Sequence, residues 1–232
     1  WLASTPDVYY TEERVHPQVG YGRPGWLRCE QFGAGMITGW GSHHIDSAHW
    51  GMGMERSGPT EIWSEKSEFA TGGLWNVHGI FKTHALYANG VHMIVSNEFD
   101  NGIKFEGTKG WIFVSRGDYQ VTASDGNKGA TQAKKLDASD PNLLTSVIGE
   151  NEFHFTVSKS HHGNWLEAIR DNKKTIAPAE EAHRSCSACL LHHIAMKLNR
   201  KIYWNPKKEK FRNDAEATKM LSRVQRKGFE TK

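Results

Sequence analysis

Between residues 33 and 54 the apolar and polar positions alternate at about 100° per residue, the period of a helix. Ile37, Trp40, Gly41, His44, Ile45, Ala48 and Met52 then share one face, and Gly39, His43, Asp46 and Trp50 share the opposite one. The first set is the apolar stripe that a packed helix needs. The second lacks the Lys, Glu and Gln of a solvated face. It offers an imidazole, a carboxylate three residues on, a large aromatic ring and a glycine. That composition suits a helix lining a cleft, or a local His–Asp pair beside an exposed Trp that meets a loop or a neighbour.

Downstream the period drops to two. Asn89-Gly90 and Asn101-Gly102 stand between apolar runs, and Asn-Gly is the strongest short hairpin signal because both positions tolerate φ > 0. Thr108-Lys109-Gly110 supplies a third tight turn. Strands are expected near 60–69, 76–87, 91–98, 102–107, 111–115 and 118–123, joined as an antiparallel meander. Val91, Met93 and Val95 alternate with His92 and Ile94, so both faces are fairly apolar at the centre. A sheet covered by helices on one side and a partner on the other reads this way.

Residues 124–152 are rich in Asp, Asn, Gly and Lys and read as a long loop with a short turn near 142–147. A strand at 153–157 is expected next. A helix over 159–172 follows, capped by Ser158 or Ser160, with Trp165, Leu166 and Ile169 as its apolar repeat. Pro178 introduces a helix over 179–198, with Glu180 and Glu181 early and Lys197 and Arg200 late, in agreement with the macrodipole. A short strand at 201–206, a helix near 213–222 and a basic exposed arm complete the chain.

Composition narrows the class. With 232 residues, 38% hydrophobic and 24% charged, the chain can bury a sizeable core. A formal charge of +3 without a long Lys or Arg run gives no reason to expect nucleic acid. No apolar segment reaches the ~20 residues that span a bilayer. An odd count of three cysteines argues against a disulfide framework, and Cys186-x-x-Cys189 reads as small buried helix residues rather than a metal or redox site. No histidine pair has a metalloprotease or zinc-finger spacing.

Residues 1–32 carry Pro at 6, 17 and 24 and Gly at 20, 22 and 25, the pattern of an irregular arm. Gly20–Gly25 matches G-x-G-x-x-G literally. No apolar strand precedes it, Pro24 disturbs the turn and no βαβ unit follows, so it is not a dinucleotide fingerprint. Tyr10, His16 and Arg28 are aromatic and polar tips of this arm. They suit sugar or anion binding, or equally packing onto a neighbour.

The order of GAGMITGWGSHHIDSAHWGMG, NGIKFEGTKGWIFVSRG, HGNWLEAIRDNKKTIAPAEEAHRS and HIAMKLNRKIYWNPKKEKFRNDAEATKMLSR resembles the C-terminal domain of the Gfo/Idh/MocA oxidoreductases, nearest to a bacterial subgroup with an extended C-terminal tail. The resemblance implies an α+β fold, an open, mainly antiparallel sheet with helices on one face and an oligomer interface on the other. It implies a Rossmann domain ahead of residue 1 that binds NAD or NADP. In this division residues 1–32 are a connecting arm, 33–205 the domain and 206–232 a tail. The expected partners are a small carbohydrate and further copies of the chain, as dimer or tetramer, with neither nucleic acid nor membrane. The compartment stays open: cytoplasmic, or periplasmic if a twin-arginine signal preceded the chain.

Many members carry Asp-x-x-x-His on the helix matching residues 33–54. The histidine falls on His43, and the aspartate falls on Gly39, a departure. The family's Lys, in a Glu-Lys-Pro motif, belongs to the preceding domain. The resemblance makes His43 the candidate base toward a secondary alcohol, a role an imidazole fills near neutral pH. Asp46 is the candidate that orients it, and Trp50, Arg28, Tyr10 and His16 are the candidate substrate contacts. The resulting expectation is the substrate-binding and oligomerisation domain of an NAD(P)-dependent oxidoreductase, inactive as an isolated chain and acting in full-length form on a sugar, cyclitol or glycoside. The alternative is a non-catalytic carbohydrate-binding or structural domain.

Overall fold

A computed structural model describes residues 2–16, 25–115 and 136–231. The sequence between 17 and 24, which holds most of the G-x-G-x-x-G match, and the strand expected at 118–123 lie outside them.

The N-terminal arm contains a single turn, α1 (Glu12–Val15), and a 3-10 turn at Gly25–Arg28. Gly25 has a packing explanation: a Cβ there would lie 2.0 Å from the Glu13 carbonyl oxygen. The main N-terminal helix is α2 (Trp40–Met52). It begins at Gly39 without a side-chain cap and stops at Gly53, whose φ of +65° lets its N–H reach the His49 and Trp50 carbonyls.

Two sheets follow, both antiparallel. The larger has the order β3-β2-β1-β7-β8, from β1 (Pro59–Phe69), β2 (His78–Tyr87), β3 (His92–Ser96), β7 (Ile202–Asn205) and β8 (Lys210–Phe211). The smaller has the order β4-β5-β6, from β4 (Ile103–Gly107), β5 (Gly110–Val114) and β6 (Leu136–Ala138). The β2–β3 hairpin turns at Asn89-Gly90, where Gly90 has φ +86° and Asn89 Oδ1 accepts from the Val91 N–H.

The expected single meander is therefore corrected. It breaks at Asn101-Gly102, which joins two sheets instead of forming a hairpin. Gly102 is required there by close approach, since a Cβ would meet Phe113 Cζ at 2.3 Å. The region 136–138, expected as loop, pairs with β5 through Ile112, Phe113 and Val114. The strand expected at 153–157 does not form. Phe153 and Val157 are exposed, and Phe155 stacks on Trp50 with centroids 5.1 Å apart.

The helices agree more closely. Ser160 caps α3 (His161–Asp171), its Oγ accepting from the Gly163 N–H at 3.1 Å. Trp165, Leu166 and Ile169 stay exposed on α3. Helix α4 (Ala179–Leu198) runs over the expected span. Helix α5 (Ala215–Lys219), capped by Asp214, is shorter than expected. The tail is anchored at two points: Arg226 pairs with Asp7 at 2.9 Å, and Arg223 donates to the Glu30 carbonyl.

Helix α4 lies on one face of the larger sheet. Ile62, Ala85, Tyr87, Ile202 and Trp204 from the strands meet Leu191, Ile194 and Ala195 from α4. A second cluster joins Ile37 and Ile45 to Ala188, Cys189 and Met196, so α2 packs on α4. The fold is α+β, an open antiparallel sheet with helices, as expected.

Candidate functional site

Helix α2 determines the geometry. Ile37, Ile45 and Ala48 are buried, and His43 is exposed. The Trp40 indole lies under both neighbouring histidines, stacked on His44 at 5.5 Å and edge-on to His43 at 5.7 Å. His44, expected in the core stripe, is only half-buried. The fully buried histidine of this helix is His49, one turn after Ile45, which the stripe passes through at i+4. Its Nε2 lies 2.9 Å from the Tyr87 hydroxyl, Nδ1 has no hydrogen-bond partner, and burial lowers its pKa to about 4.

Asp46 turns toward α4. The Ser185 hydroxyl donates to its Oδ1 at 2.7 Å, and Ser185 is itself buried. Beside this bond a cavity of about 170 Å³ opens, lined by Ser42, Asp46, Trp50, Ala177, Glu181, Ala182, Ser185 and Cys186. The structure thus brings Asp46 and Trp50 together at one cavity and sets His43 on the exposed side of the same helix. The α4 contribution was missed from sequence. Its signal was the spacing of Glu181, Ala182, Ser185 and Cys186, an i, i+1, i+4, i+5 set of small or polar residues on one face. Small residues let α2 and α4 come close: a Cβ on Gly41 would meet Cys189 Sγ at 3.9 Å.

The cavity carries two carboxylates, two hydroxyls, a thiol and one indole. Glu181 is paired with Arg56 at 3.3 Å. Hydroxyl-rich ligands match this chemistry, since carboxylates accept their O–H groups and an aromatic face covers their C–H faces. Cys186 is an exposed thiol, unlike the small buried residue expected, while Cys189 is buried with its pKa pushed well up by desolvation.

The arm residues behave as local pairs. The Tyr10 hydroxyl lies 2.9 Å from His16 Nε2, and the Arg28 guanidinium sits 5.0 Å above the Trp75 ring. None of the three lines the cavity. The arm is held to α4 through Glu30, which His193 Nε2 and Lys197 Nζ both approach at 3.1 Å, and these contacts lower the Glu30 pKa to about 2.

Among the described residues no group of three or more His, Cys, Asp or Glu side chains could hold a metal ion, and no helix is long and apolar enough to cross a membrane. Both described sheets are antiparallel, with no βαβ unit to seat a dinucleotide.

The described residues form an α+β domain, an antiparallel sheet backed by helices with a polar cavity between α2 and α4. Residues 1–231 match the Gfo/Idh/MocA family described as "Oxidoreductase family, C-terminal alpha/beta domain", and the chain belongs to that family. Solved structures with a similar fold include an oxidoreductase from Thermotoga maritima (16% identity, TM-score 0.51, 82% of this chain and 52% of that one). An NAD-binding protein from Listeria innocua has 14% identity, a TM-score of 0.47, and 77% and 50% coverage. An aldose–aldose oxidoreductase from Caulobacter crescentus, complexed with glycerol, has 13% identity, a TM-score of 0.46, and 77% and 50% coverage. The chain spans about half the length of each. No curated protein matches it.

Proposed function

We propose that this chain is the substrate-binding and assembly half of an NAD(P)-dependent oxidoreductase that acts on a secondary alcohol of a sugar, cyclitol or glycoside. The observation that carries this reading is the placement of His43, Asp46 and Trp50 on one helix, in a chain of an oxidoreductase family. His43 projects from α2 and takes the hydroxyl proton of the alcohol as general base. Asp46, fixed by Ser185, accepts a hydrogen bond from a second hydroxyl, and Trp50 offers its ring to the sugar's C–H face. Tyr10, His16 and Arg28 contact the outer part of a larger substrate.

The described residues offer no strand, glycine-rich turn and helix in the βαβ order of a dinucleotide fingerprint. NAD or NADP is held by a different part of the polypeptide in this reading. The open face of the larger sheet joins copies of the chain into a dimer or tetramer.

A second reading is favoured by Gly39. It stands where the family resemblance puts the aspartate of Asp-x-x-x-His, and it caps α2 without a side chain. A domain that binds carbohydrate or supports assembly without catalysis would tolerate that loss. The full-length polypeptide, mixed with NAD or NADP and a panel of sugars, cyclitols and glycosides, separates the two. Reduction of the nicotinamide by one of them supports the oxidoreductase. Sugar binding without reduction by any of them supports the second reading.

A further inference from the structure

The face of the larger sheet away from α4 holds a group that the oxidoreductase reading does not use. Trp63, His84 and His92 stack on one another, with centroids 5.0 Å apart for Trp63–His84, 5.4 Å for Trp63–His92 and 5.1 Å for His84–His92. Cross-strand register explains it: Trp63 stands opposite His84, His84 opposite Ile94, and His92 opposite Leu86. His84 Nε2–H donates to Glu65 Oε2 at 2.7 Å, and His84 Nδ1 lies 3.0 Å from His92 Nε2. Lys82 also donates to Glu65, and Lys201 sits 4.5 Å above the Trp63 ring while bonded to Glu61.

The two imidazoles share one proton. Glu65 can only accept, so His84 Nε2 carries hydrogen. Between His84 Nδ1 and His92 Nε2 there is room for one further hydrogen, which leaves the pair neutral or singly charged. A second added proton sets N–H against N–H and puts two cations in one stack. The bond is then lost, and His92, the exposed member, leaves the stack with its charge. Burial and the neighbouring His84 charge already hold the His92 pKa below the ordinary histidine value.

We propose that this face associates with the same face of a second copy, and that protonation of the His84–His92 pair releases the association. The proposal rests on the assembly part of the reading above. The occupant follows from charge. Glu61 is matched by Lys201 and Glu65 by Lys82, so the face has no net sign with which to select a polyanion or a membrane. Ile80, Ile94 and Tyr203 are exposed beside these pairs. A balanced face with apolar gaps meets its own copy without net charge repulsion, as a two-fold interface requires. Two-fold pairing brings both copies' His92 side chains into one interface, so each protonation step adds its charge there twice. The other groups near the pair are His192 of α4, whose pKa of about 3 keeps it neutral above pH 5, and Lys82 and Lys201, cationic at the rim. Glu65 opposes the effect by holding one charge on His84, and Lys82 shares that carboxylate, so the second charge of the pair stays unmatched.

Sedimentation velocity of the full-length protein from pH 8 to pH 5, with circular dichroism to confirm folding, tests this. The expected result is a dimer or larger assembly at pH 8 that dissociates as the pH falls below about 6.5, the ordinary histidine range. His92→Phe, which keeps the stack but takes no proton, should stay associated across the range. His92→Lys should be dissociated throughout. An assembly that persists at pH 5 in the wild type, or a His92→Phe variant that dissociates with the wild-type midpoint, overturns proton control and leaves the assembly reading standing. A monomer at pH 8 overturns the assembly reading, and the inference with it.

Discussion

Ser185 on α4 donates a 2.7 Å hydrogen bond to Asp46 on α2, joining two residues 139 positions apart in sequence at the wall of the candidate cavity. The bond fixes the carboxylate without neutralising it, because a hydroxyl carries no charge. Ser185→Ala leaves a half-buried carboxylate without this donor and should lower stability by about 1–3 kcal/mol. Urea unfolding of the two proteins measures it. A loss below a few tenths of a kcal/mol would mean the bond is not formed in solution.

His43 and His49 should respond in opposite ways. In the full-length enzyme His43→Ala should keep the wild-type melting temperature and lose about 10²–10⁴-fold in kcat, the usual cost of a general base. His49→Ala should lower stability by about 2–4 kcal/mol, since it opens a cavity and leaves the buried Tyr87 hydroxyl with only the weak acceptor Met93 Sδ. His44→Ala removes a half-buried stack on Trp40 and should cost about 1 kcal/mol. Thermal melts and steady-state rates on all three separate a reactive histidine from structural ones.

Acid should unfold the protein early. Burial lowers the pKa of His49 to about 4, of His78 to about 4 and of His192 to about 3. Their unfolded values lie near 6.5, so between about pH 6.5 and 4 the unfolded chain binds protons that the folded chain refuses. Stability is therefore intact above about pH 6.5 and falls below it, by up to about 1.4 kcal/mol per pH unit for each such site. Glu30 adds a second, lower window. Its pKa is depressed to about 2, so its contribution is present above about 4.5 and is lost as the pH falls toward 2. Urea titrations at a series of pH values should show the steep part beginning near neutrality, and His78→Asn should flatten it.

One thiol should react in the native protein. Cys186 is exposed at the cavity, while Cys29 and Cys189 are buried and their thiols are pushed up in pKa by desolvation, which suppresses the thiolate. Titration with a chromogenic disulfide should count one fast thiol before denaturation and three after it. A sugar that occupies the cavity should slow the fast phase. Equal rates with and without a saturating sugar would place the binding site elsewhere.

Much of the fold could be read from local chemistry. Helix α4 was visible from Pro178, its acidic first turn and its basic last turn, and the β2–β3 hairpin from Asn89-Gly90. In both cases the decisive interactions lie within a few residues, so the sequence alone determines them. It also set the faces of α2, with Ile45 and Ala48 inward and His43 outward. Tertiary structure decided the rest. Asn101-Gly102 has the same local signal as Asn89-Gly90, yet Phe113 closes over it and the chain passes to a second sheet. Residues 153–157 alternate like a strand, yet among the described residues no strand pairs with them. The burial of His49 instead of His44 depends on where Tyr87 stands in β2, and the cavity depends on Ser185 reaching Asp46 from a helix far along the chain. Periodicity tells which side chains share a face. What that face meets is settled by long-range packing, which no local pattern encodes.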